Sequence, residues 1–275
     1  MARIKATIIG GQGFIGRHLT ARLLATGWDC HVPEQQATYA RQEDMGHVFY
    51  CAGLTADYIR RPFDTVEAHV SLLSRILQTS HFQSLVYLSS TRLYDSQPGS
   101  VGTEELPLSL NPTNPRHIYD LSKALGESLC LVTGQKRARV ARLSCVYNDH
   151  TDTDGFLPEL LRQIITNRPS LLEVNSSPAF ARDYVHLEDV LDALILISTQ
   201  GKEDIYNVAS GETIRNETLF AALSKVSGCR IVPLHNEVPL PPSRVSIEKI
   251  QNEFDWHPVS VLEKTTAIIE ETWKC

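Results

Sequence analysis

Ala6-Thr7-Ile8-Ile9-Gly10-Gly11-Gln12-Gly13-Phe14-Ile15-Gly16-Arg17-His18-Leu19 is the stretch whose reading decides the fold. The apolar run from Arg3 to Ile9 ends in glycines, and Phe14, Ile15, Leu19, Leu23 and Leu24 then recur at helical spacing. This predicts strand, tight turn, helix. Glycines at 10, 13 and 16 suit such a turn, because a loop without Cβ atoms lets backbone N–H groups and the positive end of the helix dipole approach a pyrophosphate. Gly10, Gly13, Phe14, Ile15 and Gly16 are therefore candidate cofactor-binding residues. A turn that only packs the helix close to the strand would use the same glycines.

After the first helix, Gly27 leads into Trp28 to Val32, and Glu34 follows where a dinucleotide fold places an acid on the adenosine ribose. A carboxylate there bonds ribose hydroxyls and repels the extra phosphate of NADP, so it favours NAD and leaves NADP open. An exposed loop glutamate would look the same. Further buried-type strands read at His47 to Cys51, Ser84 to Ser89 and Ala138 to Val146, with helices at Ala68 to Leu77 and Tyr119 to Val132. Strands alternating with helices of this length predict βαβ units, hence an α/β fold with a doubly wound parallel sheet of Rossmann type. The interval between Glu34 and the His47 to Cys51 strand is too short for the usual helix, strand and helix, which predicts one strand-helix unit missing at the sheet edge.

From Thr151 the texture changes. TDTDG reads as a polar turn, Phe156 to Ile165 as a helix, Pro169 to Ala179 as a loop or edge strand, Val185 to Ile197 as a helix, Ile205 to Val208 as a strand and Glu212 to Val226 as a helix. The expected organisation is a dinucleotide-binding domain over 1–150, with 184–209 returning to it, and a smaller α/β substrate lobe over 151–275.

Composition narrows the function classes. With 275 residues, 42% hydrophobic and 21% charged, the chain reads as globular rather than disordered. Its 26 basic and 32 acidic residues give a net charge of −6, and the basic ones are scattered, so no nucleic-acid footprint is expected. The six cysteines form no C-x-x-C pair and the ten histidines no H-x-x-x-H, so no metal site is expected. Sparse thiols and the lack of a cleavage signal or long apolar run point to a reduced, cytoplasmic protein without a membrane partner.

Two more constellations carry chemistry. Leu88-Ser89-Ser90-Thr91-Arg92-Leu93-Tyr94 puts hydroxyls at the carboxyl end of a predicted strand, where open α/β sheets bind ligands. Tyr119-Asp120-Leu121-Ser122-Lys123 places a phenol and an ammonium at i and i+4 on one helix face. A cation there lowers the phenol's proton affinity, so that it can take a proton from a carbinol or return one to a carbonyl. Taken singly, the first motif is also an ordinary cap and the second an ordinary surface helix.

The ordered set of glycine loop, SST-x-x-Y and YxxxK resembles the extended short-chain dehydrogenases/reductases, in particular their nucleotide-sugar epimerases, dehydratases and reductases. The resemblance continues through Cys51-Ala52-Gly53, Arg142 to Tyr147, Arg182-Asp183-Tyr184-Val185-His186-Leu187-Glu188-Asp189-Val190, Tyr206 to Gly211 and Phe254 to Pro258. It implies Ser90, Tyr119 and Lys123 as the catalytic trio, with Tyr119 and Lys123 also on the cofactor. Cys51, Ala52 and Gly53 become cofactor contacts, and Ser90, Thr91, Cys145, Arg182 and Arg244 substrate contacts. Arg182 faces the substrate's diphosphate, unless it is a structural ion pair with Asp183. The implied partner is a nucleoside-diphosphate sugar, and helices 68–77 and 119–132 imply a homodimer.

Departures from the pattern refine this reading. Thr91 and Arg92 stand where dehydratases carry an acidic pair, which speaks against 4,6-dehydration, and against the decarboxylation that uses a glutamate there. Cys145 replaces a common asparagine and Ser246 stands near a common aspartate. The expected function is NAD(P)-dependent redox chemistry at a sugar carbinol or ketone, as an epimerase or a 4-ketoreductase, with Tyr119 as general acid/base. A reductase of a non-nucleotide carbonyl compound and a non-catalytic NAD(P)-sensing protein are the alternatives.

Overall fold

The computed structural model describes residues 3–34, 44–152 and 155–274. In chain order, its first half comprises β1 (Lys5–Ile9), α1 (Phe14–Ala25), β2 (Asp29–His31), β3 (His47–Tyr50), α2 (Pro62–Val66), a π-helical turn (Glu67–Ser71), α3 (Leu72–Thr79), β4 (Ser84–Ser90), a 3-10 turn (Thr91–Tyr94), β5 (Val101–Gly102) and α4 (His117–Thr133). The second half adds β6 (Ala138–Leu143), β7 (Cys145–Tyr147), α5 (Phe156–Asn167), β8 (Leu171–Val174), β9 (Ala181–His186), α6 (Leu187–Gln200), β10 (Ile205–Val208), β11 (Thr213–Arg215), α7 (Asn216–Ser227), β12 (Arg230–Pro233), β13 (Arg244–Val245), α8 (Glu248–Phe254) and α9 (Val261–Lys274).

Among the described residues the main sheet has the order β10-β6-β4-β3-β1-β2, and every pairing in it is parallel. The strands β3 and β4 are buried almost throughout, which is why they read as continuous apolar runs rather than alternating ones. This is the Rossmann-like α/β fold expected from the sequence. Register places Ile9 beside Tyr50, Tyr50 beside Tyr87, and Ser90 beside Leu143, so the chain leaves β1, β3 and β4 along one edge. The sheet winds outward from β1 to β2 in one direction and from β3 in the other, which opens a crevice at that edge. Residues 35–43, where a missing strand-helix unit was inferred, lie outside the described residues, as do Thr153 and Asp154 of the TDTDG turn.

Helices cover both faces. On one, Leu19 and Leu23 of α1 and Val190 and Leu194 of α6 pack on Ile8, Val86 and Ala141. On the other, Leu73 and Ile76 of α3 and Cys130 of α4 meet Val48, Tyr50, Leu85 and Val140. A third core joins Leu160 and Ile164 of α5, Leu219 and Leu223 of α7 and Ile268 of α9 to Tyr147 and Tyr184.

Three sequence-predicted elements are corrected. The run Ala138 to Val146 is two strands, because after Ser144, whose N–H bonds Val208 O at 3.1 Å, the chain leaves the main sheet and β7 pairs with β9. Val185 and His186 end β9 instead of opening a helix. The helix starts at Leu187, with the His186 imidazole accepting from Glu188 N at 3.3 Å. Thr213 to Arg215 form β11 against β9 before α7 begins, since a short β-region there pairs with a free strand edge.

The glycine loop is held by contact rather than by sequence preference alone. Gly10 has φ +76°, and a Cβ on it would lie 2.7 Å from the Ala52 backbone. One on Gly16 would lie 2.4 Å from Gly10 O. Overpacking of this kind costs about 1–3 kcal/mol. The expected result for Gly16→Ala is an unfolding free energy, from urea titration, lowered by about 1–3 kcal/mol, with an unchanged midpoint counting against a closed loop.

Candidate active site

The loop ends at Gly13, which caps α1 with extended backbone (φ −73°, ψ 174°). No side chain caps the helix and its first turn carries no acid, so the N–H groups of Phe14, Ile15 and Gly16 face an end of positive dipole. A Cβ at Gly13 would touch only Gly10 O, at 3.3 Å. Space, donors and charge fit a diphosphate. Across the crevice, Cys51 N bonds Ile9 O at 2.8 Å and the Ala52 backbone rests on Gly10, so Cys51-Ala52-Gly53 and the glycine loop form one wall. Val32 packs on Gly11, and Glu34 stands exposed two residues further on.

Ser90 ends β4 and Tyr119 and Lys123 occupy the first turns of α4, and the fold brings them together. Ser90 Oγ accepts from Arg92 N at 3.2 Å and stands beside the Tyr119 phenol, whose proton affinity it lowers. Burial raises the Tyr119 proton affinity above the usual phenol range, while Ser90 and the Arg92 charge oppose that rise. Thr91 is half-buried and opens the 3-10 turn.

Lys123 is fully enclosed. Its amine donates to Leu88 O at 2.7 Å, lies 4.9 Å from the centre of the Tyr87 ring, and meets a Cβ position at Gly53 at 3.3 Å. Burial pulls its pKa down to about 7, opposed by the Glu127 charge. Besides this ammonium one turn along the helix, a second cation stands at the phenol: the guanidinium of Arg92 lies over the Tyr119 ring, 4.4 Å from its centre.

Composition and spacing missed three residues. His69, in the π-helical turn between α2 and α3, presents its ring edge to Tyr119 at 5.2 Å. Leu54 N donates to its Nε2 at 3.3 Å, so Nδ1 carries the proton and donates to Ser122 Oγ at 2.8 Å, which donates to Tyr119 O at 2.8 Å. Burial and the Lys123 charge push its pKa down to about 2, and the ring stays neutral. Tyr58 stacks obliquely on Tyr119, with ring centres 5.3 Å apart. Glu127, one turn beyond Lys123 on the same helix face, makes a bidentate pair with Arg142 of β6 at 2.9 and 2.7 Å. An acid i+4 from a buried lysine is the signal that could have found it.

The third core carries a separate cleft of about 210 Å³, lined by Cys145, Tyr147, Phe156, Pro158, Arg182 and Tyr184 among others. Arg182 Nη1 lies 3.5 Å from Cys145 Sγ and its guanidinium covers the Phe180 ring at 4.8 Å. It has no ion pair with Asp183, whose carboxylate accepts from Ser210 N at 2.8 Å and Gly211 N at 2.9 Å. Arg182 is exposed, without a carboxylate partner among the described residues. Arg244 lies on β13 against β5, exposed and likewise without an ion pair among those residues. No helix among the described residues is long and apolar enough to cross a membrane.

Residues 6–209 match the family model described as the NAD dependent epimerase/dehydratase family. The chain belongs to this family. It is 25% identical over 97% of its length to a GDP-6-deoxy-D-mannose reductase of Pseudomonas aeruginosa, covering 96% of that protein. It is 23% identical to a UDP-glucose 4-epimerase of Lactobacillus helveticus, covering 83% of each chain. Among solved structures, RMD from Pseudomonas aeruginosa complexed with NADPH shares the fold with a TM-score of 0.72, at 23% identity, over 100% of this chain and 99% of that one. The family assignment bears out the resemblance read from the ordered motifs.

The enclosed ammonium has a measurable consequence. The unfolded chain holds the Lys123 proton up to about pH 10.4, whereas the folded chain releases it near 7. Stability therefore rises with pH between those values. The urea midpoint of the native chain is expected to climb from pH 6.5 to 9 relative to that of Lys123→Met, and parallel curves would refute the burial of a charge at this position.

Proposed function

We propose that the protein catalyses NAD(P)-dependent hydride transfer at a carbinol or ketone carbon of a nucleoside-diphosphate sugar, as a 4-ketoreductase or an epimerase. The observation that carries this reading is the meeting of Ser90 and Tyr119 at the carboxyl edge of the sheet, beside an uncapped helix N-terminus suited to a diphosphate. In this division of labour, residues 1–150 with 184–209 hold the cofactor and 151–275 the sugar nucleotide.

The cofactor, when bound, supplies or accepts the hydride. The amides of Phe14, Ile15 and Gly16 would hold its diphosphate, and Cys51, Ala52 and Gly53 would border it. Glu34 on the adenosine ribose favours NAD, while the NADPH-bound structural relative keeps NADP in view. Lys123, pressed against Gly53, would hold the ribose next to the nicotinamide. Tyr119 Oη and Ser90 Oγ hold the reacting sugar oxygen between them. During reduction Tyr119 delivers a proton to that oxygen, and burial, which keeps the phenol protonated, suits it to donate. During oxidation it takes the proton back. Arg182, unpaired and aimed into the cleft with Cys145, binds the substrate's diphosphate through its planar fork.

The two reactions differ in the fate of the cofactor. An epimerase returns the hydride to the other face of the same sugar and retains its cofactor through gel filtration. A ketoreductase consumes added NAD(P)H with a 4-keto sugar nucleotide. Turnover of a panel of UDP-, dTDP-, GDP- and CDP-sugars with NAD(H) and NADP(H) tests the reading, and the absence of turnover and of thermal stabilisation by all of them would overturn it. Tyr119→Phe is expected to lower kcat by about 10²–10⁴-fold with KM little changed. Arg182→Ala is expected to raise KM roughly tenfold or more at unchanged kcat, the loss of one charge-assisted contact.

A further inference from the structure

Arg92 stands at the junction of both reactive hydroxyls. Its backbone N–H donates to Ser90 Oγ at 3.2 Å. Its guanidinium lies 4.4 Å from the centre of the Tyr119 ring and 5.0 Å from that of Tyr58, whose hydroxyl accepts from Nη2 at 3.0 Å. No carboxylate forms an ion pair with it among the described residues. We propose that Arg92 is the positioning residue that sets the ionisation and orientation of Tyr119, a task that helical spacing alone assigns to Lys123. This rests on the reading of Tyr119 as the acid/base of the reaction.

The geometry favours Arg92 for three reasons. First, it acts at two points. The amide holds the Ser90 hydroxyl beside the phenol, and the side chain covers a face of the Tyr119 ring. Second, no ion pair among the described residues draws its charge away from the phenol, with Asp120 sharing its field. Around Tyr119 stand the hydroxyl of Ser90, the neutral ring of His69, the phenol of Tyr58, the Asp120 carboxyl on its own helix and the Lys123 amine one turn on. Asp120 disfavours the phenolate, His69 and Tyr58 carry no positive charge, and the amine bonds Leu88 O. Third, a guanidinium keeps its charge at every working pH, whereas the enclosed amine of Lys123 loses its proton near pH 7. A cation within about 4–6 Å shifts a neighbouring acid by about 1–3 units.

The test titrates the phenol with and without turnover. Tyrosinate difference absorbance, taken for each protein against its own Tyr119→Phe counterpart, isolates Tyr119 among the nine tyrosines. In Arg92→Met its titration is expected to move up by about 1–3 units, and Arg92→Lys is expected to recover most of that shift. The pH profile of kcat, in whichever direction turns over, should move with it. An unmoved titration in Arg92→Met overturns the proposal, and so does a raised KM with an unshifted profile, which would make Arg92 a substrate contact. A shifted titration in a chain that turns over no nucleotide sugar supports the coupling and overturns only the assigned reaction.

Discussion

The placement of α4 against the sheet is the constraint on which the site depends. Gly126 has no room for a Cβ, which would lie 2.4 Å from the Tyr87 hydroxyl and 2.9 Å from His69 O, so the α4 backbone packs directly on the tip of the Tyr87 ring and on the π-helical turn. The Tyr87 hydroxyl donates to His69 O at 3.1 Å, tying the π-helical turn to the same contact. One residue on, the Glu127 carboxylate takes both arms of the Arg142 guanidinium, each side chain almost wholly buried. A buried pair of this kind adds little net stability over apolar packing, but losing one partner strands the other, so it specifies register. With Gly126 and Glu127 pinned, Lys123 and Tyr119 follow at one and two turns along the same face, and the phenol reaches Ser90.

The same packing explains why the electrostatics differ from those of an isolated helix. In water, an ammonium one turn from a phenol would be free to approach it. Here α4 lies flat on β4, and the nearest acceptor for the amine is Leu88 O in the strand below. Enclosure makes the charge costly, and so the group sits poised near neutrality. The space above the phenol belongs to Arg92, delivered by the 3-10 turn that follows β4 and fixed by the Ser90 hydroxyl. A permanent cation thus lies over the ring, and an amine that titrates near pH 7 lies beneath the site.

Much of this was legible in the chain. Buried parallel strands read as apolar runs, the glycine spacing announced the first turn, and the ordered motifs pointed to the family. The misread elements share a cause: Cys145 to Tyr147 and Thr213 to Arg215 are short strands whose partner, β9, lies far away in sequence, so no local periodicity marks them. His69 hid for a similar reason. It sits on an apolar helix, and only the widened turn at Glu67–Ser71 rotates its ring toward Tyr119.

Local chemistry along the chain determined the α/β class, the uncapped glycine turn at the start of α1, and the presence of Ser90, Tyr119 and Lys123 at the ends of elements that face one edge. These follow from periodicity and from the conformational freedom of glycine, which act between neighbours. Which cation meets the phenol, which acid anchors the helix, and which side chains share the cleft around Cys145 and Arg182 were decided by tertiary packing. Such pairings join residues tens of positions apart, and their energies come from burial and exclusion of water, which exist only once the sheet and its helices have closed on one another.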